Sequence, residues 1–316
     1  VNTETNQPAH FDVYLTLYRS CRVLVVILIT GLAVKYALVD TALIRTGHLS
    51  PSILKGDRVL LSRIQYAVPF RFIFHPRCGD PVLFMHPILK EKAGSLRIAG
   101  APGNCIVISN GTFSNIDKPG LAFAQKRVEE VTLPPEYSPR DNMKPYRIPK
   151  PGDTVKIDTV PIRELLFFYS LIKQENPDRE YSIKPVLCID DSCTGEYFIK
   201  DFTLYSGALN RIPDSLYADW FFWDRLEAYC ISKGGADKIR LTFSLHHGQT
   251  PLQQYVVKKK FYFLLSDAWC NGYDSRYFGP VIGSSIRGKI IGVLWSFAPD
   301  KAFFRGLRMR RICKII

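Results

Sequence analysis

Thr46-Gly-His-Leu-Ser-Pro-Ser-Ile-Leu-Lys-Gly-Asp-Arg-Val59 and, starting roughly 220 residues further on, Phe263-Leu-Leu-Ser-Asp-Ala-Trp-Cys-Asn-Gly-Tyr-Asp-Ser-Arg-Tyr-Phe-Gly-Pro-Val281 decide how this chain folds. Each joins turn-forming residues to a short apolar run. Gly56-Asp57 leads into Arg58-Val-Leu-Leu-Ser, which reads as a strand. In the second stretch Asp274 and Arg276 stand two residues apart, beside the turn formers Asn271 and Gly272. A carboxylate and a guanidinium so placed tie the turn to the core. Pro81-Val-Leu-Phe-Met and Cys105-Ile-Val-Ile-Ser read as further strands, and Pro81 must begin its strand or lie on an edge. Strands resume at Ile239-Arg-Leu-Thr-Phe-Ser-Leu and continue through Tyr255-Val-Val and Phe261-Tyr-Phe-Leu-Leu. The chain reads as mainly β.

Four boxes in these segments resemble type I signal peptidase, the membrane-anchored Ser/Lys protease that removes secretory signal peptides. The family reads Ser-Met-x-Pro-Thr-Leu-x-x-Gly-Asp in the first box; here Pro51 and Gly56-Asp57 match it, and Thr46 matches a position whose hydroxyl helps line the oxyanion hole in Gram-negative members. Arg77-Cys-Gly-Asp-Pro-Val-Leu-Phe is similar to the second box, with one residue inserted. Leu96-Arg-Ile-Ala-Gly-Ala-Pro-Gly-Asn is similar to the third. Asp267, Asp274, Ser275 and Arg276 match the fourth. A Ser/Lys protease needs a desolvated lysine whose lowered pKa lets it accept the serine proton, and donors that face the developing oxyanion. The resemblance places His48 on the nucleophile, Leu96 on the general-base lysine and Gly272 on a serine that helps hold that lysine. Three departures in separate boxes agree with one another, and leucine accepts no proton. The resemblance therefore implies the scaffold of a serine endopeptidase in a catalytically degenerate member, leaning away from an enzyme.

Relocated chemistry is the alternative. Ser50 or Ser52 beside His48 is a conceivable Ser/His pair, because i and i+2 share a face of an extended chain. The oxyanion donors would then be out of register. Lys90 or Lys92 is a conceivable shifted base, but both belong to a polar Lys-Glu-Lys-Ala-Gly turn, and a solvated lysine keeps its proton at neutral pH. No ligand spacing supports a metal at His48 with Asp267 or Asp274, and no cofactor is implied.

With 42 Lys+Arg against 29 Asp+Glu in 316 residues, the formal charge is +13, which suits nucleic acid or an anionic membrane surface. The arrangement favours the membrane. Six of the last 16 residues are basic and alternate with apolar ones, as at a bilayer interface. Val23 to Val34 is an uncharged run of 12 residues, and Leu15 to Leu38 is long enough to span if Arg19, Arg22 and Lys35 snorkel. No small-x-small cleavage site follows it. Basic residues on both sides leave the orientation open, and the resemblance puts the large C-terminal part outside the cytoplasm, as a single-pass protein of the bacterial inner membrane with a periplasmic domain.

The expected organisation is a flexible N-terminus at 1–14, a transmembrane anchor at 15–44, and a signal-peptidase-like β core at 45–109 and 255–316. An α/β insertion subdomain at 110–254 interrupts the core. Within that insertion Ile162 to Gln174 reads as a helix too short to cross a membrane. Asp214 to Lys233 reads as another, with Tyr217, Trp220 and Phe221 on a core-facing stripe. The eight cysteines contain no Cys-x-x-Cys pair, which argues against a zinc site. Cys188 and Cys193 flank Ile-Asp-Asp-Ser and can close a small disulfide loop in an oxidising compartment.

Three function classes follow. The first is a non-catalytic, signal-peptidase-like membrane protein that binds an extended peptide or a membrane or secreted partner, in an assembly or chaperone-like role. The family holds its substrate as an added strand at a sheet edge, and such a groove survives loss of the dyad. The second is an active signal peptidase using relocated residues. The third is a DNA-binding protein, against which the anchor and the lack of a helix-turn-helix pattern argue, so no nucleic acid is expected.

Overall fold

The computed structural model describes residues 9–64, 76–87, 92–109, 111–120, 143–157, 160, 162–189, 192–193, 239–269, 272–299 and 306–316. The chain opens with α1 (Ala9–Leu38) and passes directly into β1 (Val39–Leu43). The helix ends at Leu38, and Val39 to Leu43 pair with Arg58 to Ser62 as an edge strand. It begins inside the segment expected to be flexible. Val23 to Ile29 are each more than half exposed. Among the described residues no helix is long and apolar enough to cross a membrane.

After β1 come β2 (Asp57–Ser62), β3 (Pro81–Met85), β4 (Ala93–Gly100), β5 (Cys105–Ser109), β6 (Thr112–Asn115), β7 (Met143–Arg147) and β8 (Thr154–Lys156). Next are α2 (Ile162–Glu175), β9 (Tyr181–Ile189), β10 (Ser192–Cys193), β11 (Ile239–His247), β12 (Thr250–Pro251) and β13 (Gln254–Val256). The chain ends with β14 (Phe261–Leu265), α3 (Ser275–Phe278), β15 (Val281–Ile282), β16 (Ile286–Ser296) and β17 (Lys314–Ile315). The main sheet is antiparallel, in the order β1-β2-β16-β3-β4-β14-β15, with β17 added to β16. It interleaves strands from both family-like segments, so neither folds as a sheet alone. Pro81 does begin its strand, where its missing N–H costs least.

The region read as an insertion carries β9 to β12 as one small sheet, and β7 joins β5 and β6 in another. Leu165 to Ile172 of α2 are all buried, which makes this a helix enclosed on most sides. Phe167 stands edge-on to Tyr146 at 5.4 Å and to Phe263 of β14 at 6.4 Å. The helix thus packs against the central sheet and shares its core. Its last residue, Glu175, is buried. Tyr255 Oη donates to its carboxylate at 2.6 Å, and the N–H groups of Lys258 and Lys259 donate at 3.0 and 2.7 Å. Those bonds offset the cost of a carboxylate inside the fold. The expected helix at 214–233 lies outside the described residues.

Candidate active site

The first box is a tight loop pinned at both ends. Leu49 and Ile53 are fully buried, and the Ile53 N–H donates to Leu49 O at 2.9 Å. The Leu54 N–H donates to Asp57 Oδ2 at 2.9 Å. Gly56 has φ +93°, and a Cβ there would lie 1.8 Å from the Phe297 carbonyl oxygen, so only glycine fits. Asp57 is fully buried. Arg311 donates through Nε to Oδ1 at 3.2 Å and through Nη2 to Oδ2, and its Nη2 also reaches Ser52 O at 2.9 Å. Burial by itself raises the Asp57 carboxyl, and the bonds from Arg311, Ser296 and Leu54 outweigh it and hold the group below its ordinary value. The basic C-terminal segment, expected at a bilayer interface, therefore gives Arg311 to the core, and Arg308 bonds Lys55 O and Ser296 Oγ at 3.1 and 3.2 Å. Lys301, Phe303, Phe304 and Arg305 lie outside the described residues.

The other boxes are also stitched. Arg77 N–H and Lys289 Nζ both meet Asp80, at 3.0 and 2.7 Å. Arg97 grips Asp267 with Nε–Oδ1 2.8 Å and Nη2–Oδ2 2.6 Å, while its Nη1 holds Gly79 O at 2.7 Å. Asp274 caps α3 and receives Arg276 Nε and Nη2 at 2.9 Å each, with both residues fully buried. The guanidinium of Arg276 lies 4.2 Å from the Trp269 ring centre and donates to Trp269 O. Ser275 Oγ accepts the Leu264 N–H at 3.0 Å. Asp57, Asp80, Arg97, Asp267, Asp274 and Arg276 thus each hold backbone or a partner charge.

The positions aligned with catalysis are built differently. His48 is half-buried, and its carbonyl accepts from Ser266 Oγ at 2.7 Å and from Ala268 N–H at 3.1 Å. This joins the first box to the fourth. Burial lowers the pKa of its imidazole, against the opposing pull of the Asp274 charge. Among the described residues no hydrogen bond joins that ring to Ser50 or Ser52. Ser52 Oγ instead donates to Asp267 Oδ2 at 3.4 Å and takes Arg97 Nη2 at 3.4 Å. Thr46 Oγ1 lies 3.4 Å from Ser95 Oγ, on the face of β4 that also carries Arg97. Strand alternation sends Leu96 to the opposite face. There it is 1% exposed, in a cluster with Val82, Phe84, Ile98, Leu264 and Phe278. Lys92 is exposed at the entrance to β4, and Lys90 lies outside the described residues.

Gly272 has a partner that sequence reading missed. A Cβ at Gly272 would fall 2.1 Å from Ser266 Cβ and 2.5 Å from Ser266 Oγ. Ser266 fills the space that a side chain at 272 would need. A serine–imidazole contact also occurs away from the boxes, with Ser244 Oγ and His246 Nε2 3.0 Å apart on β11. His246 Nδ1 is buried without a hydrogen-bond partner, so no carboxylate orients that ring.

The four stitched boxes meet on one shared sheet. The family model for signal peptidase, peptidase S26, matches residues 17–133 and 180–295, about three quarters of the chain, and the chain belongs to that family. The match is wider than the two β-core segments alone. It takes in β9 to β11 and leaves 134–179, with β7, β8 and α2, unmatched. Cys188 and Cys193 are register partners in the β9–β10 hairpin. Their side chains lie outside the described residues, and the four described cysteines, Cys21, Cys78, Cys105 and Cys313, are unpaired.

Proposed function

We propose that this chain is a signal-peptidase-family protein that no longer cleaves and that holds an extended peptide of a membrane or secreted partner beside the first box. The observation that carries the reading is Leu96. It stands where the family keeps its general base, with a side chain that accepts no proton, buried among Val82, Phe84, Ile98, Leu264 and Phe278. Ser52, the alternative nucleophile, has its hydroxyl engaged by the Asp267–Arg97 ion pair. What remains is the main sheet with β1 at its edge, directly before this loop, and a sheet edge suits binding by strand addition. α1 anchors the protein in the bacterial inner membrane, with the domain on the periplasmic side, and Cys188 and Cys193 are oxidised there. Cross-strand Cα partners stand about 4.5–5.5 Å apart, within the range that a disulfide bridges.

The deciding experiment incubates purified protein with a signal-peptide-bearing substrate and measures both binding and cleavage. Binding without cleavage is the expected result. Cleavage that is abolished by Ser50→Ala or Ser52→Ala overturns the reading in favour of relocated chemistry. Recovery of the full chain without detergent in the soluble fraction removes the anchor, and free thiols at both Cys188 and Cys193 in protein isolated without reductant remove the periplasmic assignment.

A further inference from the structure

A cavity of about 450 Å³ lies between α2 and the ends of β3 and β15, well within the size of small-molecule sites. One wall comes from Met85, His86 and Pro87, the other from Tyr169, Lys173 and Tyr181, with Ile282 and Ser285 between them. Tyr169 and Lys173 belong to the segment that the family model leaves unmatched, so the family's chemistry assigns this space nothing.

The walls are rigid. His86 stacks on Tyr273 with centroids 5.7 Å apart and rings 6° from parallel, and its edge meets Phe278 at 4.8 Å. Tyr169 Oη donates to Tyr181 O at 3.3 Å. The Gln174 amide is fixed from both ends, donating to Pro280 O and accepting from Ile282 N–H, each at 2.9 Å. Burial, reinforced by the nearby Lys92, brings the His86 pKa down to about 4, so that wall is uncharged at neutral pH. The charges that do line the space are Lys173, whose ammonium sits 5.2 Å over the Tyr169 ring, Arg179 at the rim and one carboxylate, Glu180. Two cations against one anion, around an aromatic and aliphatic interior, favour a ligand with an apolar body and a negative end. Arg179 presents a fork that fits a carboxylate or a phosphate.

We propose that this cavity binds a small amphiphile, an apolar chain that ends in one carboxylate or phosphate. Its body lies against Met85, Tyr169 and Ile282, and its head meets Lys173 and Arg179.

The test is calorimetric titration of the full-length protein in lipid nanodiscs with octanoate, octyl phosphate, octanol and acetate, against empty nanodiscs. Octanoate or octyl phosphate binds at one site per chain, and the stronger of the two identifies the head group. Octanol binds about 10-fold more weakly for want of a charge-assisted bond, and acetate does not register. Arg179→Met, at an exposed rim position, weakens the anionic probe by about the same factor and leaves octanol unchanged. Ser285→Phe fills the space and abolishes both. Equal binding of octanol and octanoate, unchanged affinity in Arg179→Met, or silence from both anionic probes overturns the proposal. The Arg179 variant is read beside wild type in a thermal melt, so a folding defect in Ser285→Phe does not decide the outcome. None of these results depends on whether the protein cleaves or binds a peptide at the first box.

Discussion

Asp274 and Leu96 lie in neighbouring parts of one sheet, since β4 pairs with β14 and α3 follows β14 within ten residues. Around Asp274 every polar atom is answered: two bonds from Arg276, the Ser266 N–H at 3.0 Å, and the helix N-terminus it caps. Around Leu96 lie chiefly apolar side chains, among them Val82, Phe84, Ile98, Leu264 and Phe278. Both fall in stretches that resemble signal peptidase motifs, and on that resemblance Asp274 keeps the family's charge while Leu96 stands where the family has lysine. The difference separates what the sheet needs from what the reaction needs. A carboxylate that organises backbone N–H groups cannot be lost without leaving those groups unsatisfied in the interior. A lone lysine buried at position 96 would organise no backbone and would cost desolvation, whereas leucine packs there.

Breaking the retained half should do the most damage. Asp274→Ala strands a fully buried guanidinium, and we expect a loss of about 3–5 kcal/mol in urea denaturation. A loss under about 1 kcal/mol would mean that the pair is not what the fold rests on. Rebuilding the vacated half should also cost stability. Leu96→Lys places an amine among Phe84, Leu264 and Phe278, and we expect destabilisation of about 3 kcal/mol at neutral pH. Burial lowers the folded pKa of that lysine, so the unfolded chain binds more protons between the two pKa values. Stability of the variant should therefore rise as the pH is raised toward 10, unlike wild type. Neither this change nor His48→Ser alone should give cleavage, because each supplies half of a dyad.

A third change sharpens the contrast at Gly272. Gly272→Ser drives a Cβ into Ser266, and about 1–3 kcal/mol should be lost by overpacking. Ser266→Gly in the same chain should recover most of it, and a double-mutant cycle measures the coupling. Independent costs would show that Ser266 does not fill the place of a side chain at 272. Any attempt to restore the dyad with a serine at 272 meets this obstacle first.

The smallest effect is expected at Asp57, where Arg311 is partly open to solvent. The folded pKa lies below the unfolded one. Its contribution is therefore complete above the unfolded pKa, near 4, and is lost as pH falls through the folded value. Stability measured from pH 6 down to pH 2 should fall less steeply in Asp57→Asn than in wild type. Parallel curves would remove the pair from the ledger of retained interactions.

The strands were legible because glycine, proline and asparagine punctuate them. Arg58–Ser62, Cys105–Ser109 and Phe261–Leu265 all fall within a residue of β2, β5 and β14. Helix α2 was legible from its dense apolar run and its Asn-Pro stop. The join between α1 and the sheet was not, since Val39 to Leu43 continue an apolar run and only pairing with β2 makes them a strand. Arg311 was read as membrane-facing because its partner Asp57 lies 254 residues away, and no local pattern encodes such a contact. Ser266 was missed for a related reason. Its approach to Gly272 depends on the turn between β14 and α3, and the β14–β4 register is broken by a bulge at Phe263/Leu264. The Asp274–Arg276 tie was legible from its two-residue spacing, but the partners of Asp57, Asp80 and Asp267 became visible only in three dimensions.

Glu175 carries a consequence for how the molecule comes apart. Its carboxylate closes the end of α2, from the segment outside the family match, onto Tyr255 and the turn before β14. Excising 134–179 would uncover the aromatic faces of Phe263 and Tyr146's neighbours in β14, and would leave one hydroxyl and two amides with nothing to bond. The segment is therefore not a detachable module. Hydrogen exchange at the amides of Lys258 and Lys259 should slow and quicken together with exchange along α2, and the two should melt as a single cooperative unit.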